Sequence, residues 1–181
     1  MKKKWIFIIL AILAIIIATI IIVSIRKEKK VNHFEFPNTL TASNYTNYKR
    51  ADTIVMVILN RIFNIDTMQI SIHKMVMDMG NDESQIWAFI QKNPFIPHNY
   101  YIFIKEGSLP MSLEQLLSHE LIHLKQIENG ILAVTGGDGY YYNGKYFKFS
   151  EVPYNQRPQE IEAFKHQNEV LRELNDLLYS K

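Results

Sequence analysis

The feature that most constrains this chain is a run of 21 residues without a charge, Trp5 to Ile25, "WIFIILAILAIIIATIIIVSI", in which Thr19 and Ser24 are the only polar side chains. About 20 apolar residues cross a hydrocarbon core as a helix. The run is apolar on every side, unlike the one-sided stripe of a helix on a soluble core. Lys2, Lys3 and Lys4 precede it, and Arg26, Lys27, Lys29 and Lys30 follow. A cleavable leader has a shorter apolar region and a small-residue cleavage site. The expectation is therefore a single-pass membrane protein, anchored through residues 5–25, with its domain more readily placed on the extracytoplasmic side. The flanking charges barely discriminate orientation.

The anchor distorts the whole-chain averages. The formal charge of +2 becomes −4 once residues 1–30 are set aside, with 13 Lys plus Arg against 17 Asp plus Glu. The basic balance belongs to the anchor, and no nucleic-acid partner is expected. Residues 31–43, "VNHFEFPNTLTAS", are polar and aperiodic and suit a tether. Residues 44–181 are long enough for one domain with a real core. The absence of cysteine excludes disulfides and thiolate metal sites, so histidine and carboxylate would have to hold any metal.

Periodicity outlines that domain. Apolar positions from Tyr45 to Phe63 recur at helical spacing and stop near Asn64. "MQISIHKMVMDM" alternates, with Met75, Met77 and Met79 out of phase with Met68, Ile70 and Ile72, which predicts a strand with a bulge near Lys74. "IWAFIQ" and "YYIFIKEG" read as two more strands across a proline-containing loop. Ser112, with Gln115 three residues on, starts a helix that Asn129-Gly130 stops. Asn143-Gly144 between aromatic runs signals a hairpin. Pro158 opens a last helix carrying Ile161, Phe164, Leu171, Leu174 and Leu178. This order predicts an α+β domain with a small, mostly antiparallel sheet.

The chemistry lies in "SHELIHLKQ", residues 118–126. His119 and His123, four apart on a helix, project from one side at a separation suited to one zinc ion. Glu120 lies beside that pair, where a carboxylate can take a proton from water. On the helical wheel both histidines flank the stripe of Leu113, Leu116, Leu117, Leu121 and Leu124, which places them at the edge of the core. A catalytic zinc site wants three protein ligands and an open position. In "RPQEIEAF" Glu160 and Glu162 point roughly 200° apart and cannot share an ion. Glu160 is the choice, because it occupies the first helical turn, where the dipole favours the carboxylate, and Ala163 permits close packing.

"HELIH" followed by "EIEA" on a later helix resembles the gluzincin branch of zinc metallopeptidases, in the manner of its small bacterial or phage members. The resemblance implies a zincin-like fold, His119, His123 and Glu160 as zinc ligands, Glu120 as general base, and a peptide or protein substrate laid along an edge formed by "YYIFIKEG". The chain departs from the pattern at Phe164, where many members carry an acidic or asparagine partner for a ligand histidine. Glu162, Asp138 or backbone carbonyls would then have to take that role. Tyr154 is the first choice to stabilise the oxyanion, with His166 and Tyr142 as rivals. Arg157 could meet a substrate carboxylate or cap against Glu160 or Glu120. His33, His73 and His98 lie on tether, strand and loop and are not expected to be ligands. Two other readings compete: a non-catalytic binding module on the same fold, favoured by Phe164, and an anchored interaction protein using the aromatic hairpin as its contact surface.

Overall fold

The alternation that begins at Met68 forms a strand, β2 (Met68–Lys74), in the computed structural model, which describes residues 34–75, 86–135 and 137–179. Met68, Ile70 and Ile72 point into the core, as a period of two requires. Pairing runs unbroken to Lys74↔Ile104, so the change of phase comes at Lys74–Met75, at the strand's end, and not as a bulge within it. Met77 and Met79 lie outside the described residues.

Strand β1 (Leu40–Asn44) pairs parallel to β2, and β2 pairs parallel to β4 (Asn99–Ile104). Strand β3 (Ala88–Lys92) closes the sheet antiparallel to β4, giving the order β1-β2-β4-β3. Three expectations are corrected here. Residues 40–43 are strand and not tether, the Leu40 side chain being buried and the backbone satisfied by β2. Two of the three pairings in this sheet are parallel, because α1 carries the chain from β1 back to the start of β2. Strand β4 is interior, with β2 on one side and β3 on the other, so among the described residues the edges of this sheet are β1 and β3.

Helix α1 (Ala51–Val57) runs on into a π-helical stretch, Ile58–Ile62, and burial of Ile54, Val55, Val57, Ile58 and Leu59 fixes it against β1. Asn64, with φ of 56°, turns the chain out of it. Tyr45, expected on this helix, precedes it and is exposed. Helix α2 (Leu113–Glu128) begins as foreseen, Ser112 Oγ accepting from Gln115 N–H at 3.1 Å, and ends at Gly130 with φ of 69°. It is buried without interruption from Leu116 to Leu124, so the histidines lie in the interior of the packing and not on its flank. Strands β5 (Leu132–Val134), β6 (Gly139–Tyr142) and β7 (Lys145–Lys148) form a second, antiparallel sheet. The β6–β7 turn is Asn143-Gly144, with φ of 49° and 75°, the left-handed pair a two-residue hairpin needs.

Helix α3 (Pro158–Tyr179) packs along α2 through Glu160, Ala163, Gln167, Val170, Leu174 and Leu178. Its expected stripe is corrected in part: Ile161 and Phe164 are exposed, because the face that meets α2 begins one residue earlier, at Glu160. Ala163, fully buried and small, permits the approach. The described chain is thus a mixed α+β unit of three helices and two small sheets.

The single-pass membrane localisation is also corrected. Among the described residues no helix is long and apolar enough to cross a membrane. The longest, α3, has 22 residues but carries Glu160, Glu162, Lys165, Glu169, Arg172, Glu173 and Asp176. The run at residues 5–25 and His33 lie outside the described residues.

Candidate metal centre

The face between α2 and α3 buries an unusual set of polar side chains: His119, Glu120, His123 and Gln126 from α2, and Gln159, Glu160 and Gln167 from α3, none more than 8% exposed. Burying polar groups is costly unless they are paired, so each of these needs a partner. The two histidines are one helical turn apart, and their rings meet edge to face. Their Nε2 atoms are 3.2 Å apart, and Glu160 Oε2 lies 3.1 Å from that of His119 and 3.4 Å from that of His123. Four ligands at about 2.0 to 2.2 Å around a tetrahedral ion stand about 3.3 to 3.6 Å from one another. The observed triangle is close to that size.

The outer ring nitrogens are both engaged. His123 Nδ1 is 2.8 Å from Gln126 Oε1, and His119 Nδ1 is 3.2 Å from Gln167 Oε1. A carbonyl oxygen accepts only, so each Nδ1 carries the hydrogen and each Nε2 turns a lone pair inward. Two lone pairs and a carboxylate oxygen then converge on one point. A cation satisfies all three, and the buried His119–His123–Glu160 group can hold a metal ion. The donor chemistry, two imidazoles and a carboxylate, suits a borderline divalent metal.

Without a metal, a proton takes that place. Burial opposes a charged His123, but the hydrogen bond and charge of Glu160, followed by the charge of Glu120 and the bond to Gln126, outweigh it and push its pKa up to about 9. Burial also works against ionised Glu160, yet its hydrogen bonds to His119 and His123 hold its carboxyl well below the usual carboxylate range. For Glu120, burial dominates and raises the pKa, the charges of His123 and His119 only partly offsetting it.

No protein-family model, curated protein or solved structure matches the chain. What the site can do must therefore be read from its own geometry.

Glu120 lines two pockets, which share Ala88, Glu120 and Tyr154 in their walls. One, of about 280 Å3, includes His123, Glu160, Phe89, Ile90, Leu132 and Phe149. The other, of about 400 Å3, includes His119, Trp87, Met111, Leu116 and Phe164. Strand β3, an edge of the larger sheet among the described residues, contributes to the first and supplies Ala88 to the second.

Tyr154 is the one of the three expected oxyanion donors that lines these pockets. Its residue is 39% exposed, but burial, then the charge of Glu160 and a hydrogen bond to its carboxylate, push the phenol's pKa up, so it stays a donor. Tyr142 instead donates to Glu162 Oε2, and His166 lies 3.8 Å from Glu169 on an exposed face. Arg157 is committed to the carbonyls of Val152 and Phe149 at 3.1 and 3.2 Å and stacks on Phe149 and Tyr154, so it braces the loop that carries Tyr154 and caps neither Glu160 nor Glu120. Asp138 binds Ser150 in the hairpin. His98 pairs with Glu128 at 2.7 Å, and His73 stacks with Tyr45 and Phe103.

Gln126 and Gln167 are the residues that sequence reasoning missed. A signal existed: Gln126 follows His123 by three residues on a buried helix, and Gln167 continues the Glu160, Ala163 row. Glutamine is seldom fully buried without a specific partner.

Proposed function

We propose that the protein is a zinc-dependent peptidase of zincin-like fold, in which His119, His123 and Glu160 hold the ion and Glu120 is the general base. The single observation that carries this reading is the triangle of Nε2, Nε2 and Oε2 atoms at 3.1 to 3.4 Å, buried between α2 and α3. A zinc ion held there supplies Lewis acidity, polarising a carbonyl and making water acidic near neutral pH.

The remaining work falls to the chain's own residues. Glu120 faces the cleft next to the triad, and its carboxylate takes one proton from the attacking water and delivers it to the departing amine. The net change is one water consumed for one amide bond broken. The Tyr154 hydroxyl donates a hydrogen bond to the carbonyl oxygen as charge develops on it. An extended chain fits the arrangement, since the two pockets meet at Ala88, Glu120 and Tyr154 and β3 is an edge strand among the described residues.

The test is zinc content and cleavage measured together. The chain purified without chelator should hold about one zinc, and Glu120→Gln should keep the zinc while losing cleavage of a mixed peptide library. A zinc-free wild-type protein sinks the metal assignment. A zinc-loaded protein that cleaves nothing sinks the peptidase assignment and leaves a metal-holding binding module.

A further inference from the structure

The amide of Gln126 is held at both ends. Its Oε1 meets His123 Nδ1 at 2.8 Å, while its Nε2 donates to Glu162 Oε2 at 2.8 Å and to the Gln159 carbonyl at 3.2 Å. Glu162 accepts a second hydrogen bond, from the Tyr142 hydroxyl at the end of β6. An amide has one accepting end and one donating end, and two acceptors stand at the same end. Turning it over would set its oxygen against a carboxylate and a carbonyl, and would face an N–H toward the ring. One orientation survives, and it dictates which nitrogen of His123 carries hydrogen. Gln167 meets His119 at the longer distance of 3.2 Å, and among the described residues no comparable pair of acceptors is found at its amide nitrogen.

We infer that Gln126 is a positioning residue, locked by Glu162 and Tyr142, that fixes His123 in the tautomer whose Nε2 lone pair faces the metal. The inference rests on the metal site proposed above. It assigns to a neutral amide the task that a carboxylate would perform beside a ligand histidine. Glu162 still contributes through the amide: its charge polarises Gln126 and strengthens the carbonyl as an acceptor. The hairpin enters the site by the same path, since Tyr142 sits immediately before the Asn143-Gly144 turn.

The experiment measures zinc affinity of the full chain by competition with a chromophoric chelator, with thermal unfolding in excess chelator as the check on folding. Gln126→Leu should bind zinc about 10- to 100-fold more weakly, the range found when the outer partner of a ligand histidine is lost. Gln126→Glu should also bind more weakly, despite being the stronger acceptor, because it faces Glu162 and the Gln159 carbonyl with no donor. Adding Glu162→Gln to Gln126→Glu reverses donor and acceptor in that pair and should recover about tenfold of the loss. Glu162→Leu, which leaves His123 and Gln126 in place, should weaken binding by about tenfold and serves if the Gln126 variants fail to fold.

A wild-type chain that binds no zinc overturns the metal site itself. A wild type that binds one zinc, with folded Gln126→Leu or Glu162→Leu binding as tightly, overturns only the positioning role. So does a double variant no better than Gln126→Glu alone.

Discussion

His119 Nε2 and His123 Nε2 stand 3.2 Å apart, and in the neutral tautomers that place each hydrogen on Nδ1, against a glutamine oxygen, neither has a hydrogen to offer the other. Such an arrangement is unfavourable unless a cation joins the pair, and Glu160 supplies a third acceptor to the same point. On the metal assignment proposed above, the site would exchange a proton for a metal ion.

That exchange gives metal binding a defined dependence on pH. The His123 pKa is raised in the metal-free fold from 6.5 to about 9, so the folded chain holds a proton that zinc must displace. Apparent zinc affinity should rise by about tenfold per pH unit between about pH 7 and 9 and flatten above. The metal-free protein behaves in the opposite sense. A raised folded-state pKa contributes stability that is fully present below 6.5 and is lost as pH rises through 9. Chelator competition across this range, alongside thermal unfolding of the metal-free chain, checks both slopes; affinity independent of pH would contradict the assignment.

Removing the metal should also lower stability, since the three ligands converge only in the folded chain. At free zinc about 100 times the dissociation constant, the bound ion adds about 2.7 kcal/mol. Glu160→Ala should abolish that increment, with unfolding temperatures equal with and without zinc. A zinc-dependent rise that persists in Glu160→Ala would take Glu160 out of the site.

Tyr154→Phe separates the hydroxyl from the ring. The ring packs edge-on to Phe164 at 6.4 Å and lies under Arg157, contacts that phenylalanine retains. Zinc content should be unchanged, and kcat should fall by about 10²- to 10³-fold if the hydroxyl donates to the oxyanion. An equal kcat would make Tyr154 a wall of the cleft and nothing more.

The parts of this molecule that were legible in its sequence are those set by local chemistry. Ser112 with Gln115, Asn129-Gly130, Asn143-Gly144 and Pro158 mark their turns and caps because the backbone there leaves few alternatives. The angle between neighbours on a helix ruled out Glu160 and Glu162 sharing an ion, and the first-turn position with Ala163 favoured Glu160; the structure brings Glu160 to the histidines while Glu162 faces Gln126. What escaped depends on contacts distant along the chain. Nothing local to "YYIFIKEG" says that β3 will add outside it, and the short, half-polar β1 gains its place only through pairing with β2. Gln126 and Gln167 escaped for the same reason: their partners are fixed by how α3 lies on α2, which no spacing within either helix encodes.

Phe164 is the last test of that account. The resemblance to gluzincins leads one to expect a polar partner for a ligand histidine at this position, yet Phe164 lies against the His119 ring, with centroids 4.7 Å apart, while Gln167 three residues on accepts from Nδ1. Gln167 makes the polar contact to Nδ1, and Phe164 packs against the His119 ring. Phe164→Asn should therefore leave zinc affinity within about tenfold of wild type, because the Nδ1–H is already taken, and should lose about 1 kcal/mol of stability from the missing aromatic contact. Gln167→Leu should weaken zinc by about tenfold or more. Chelator competition on the two variants decides the matter: if Phe164→Asn binds more tightly and Gln167→Leu is unaffected, then Gln167 is not the partner of His119.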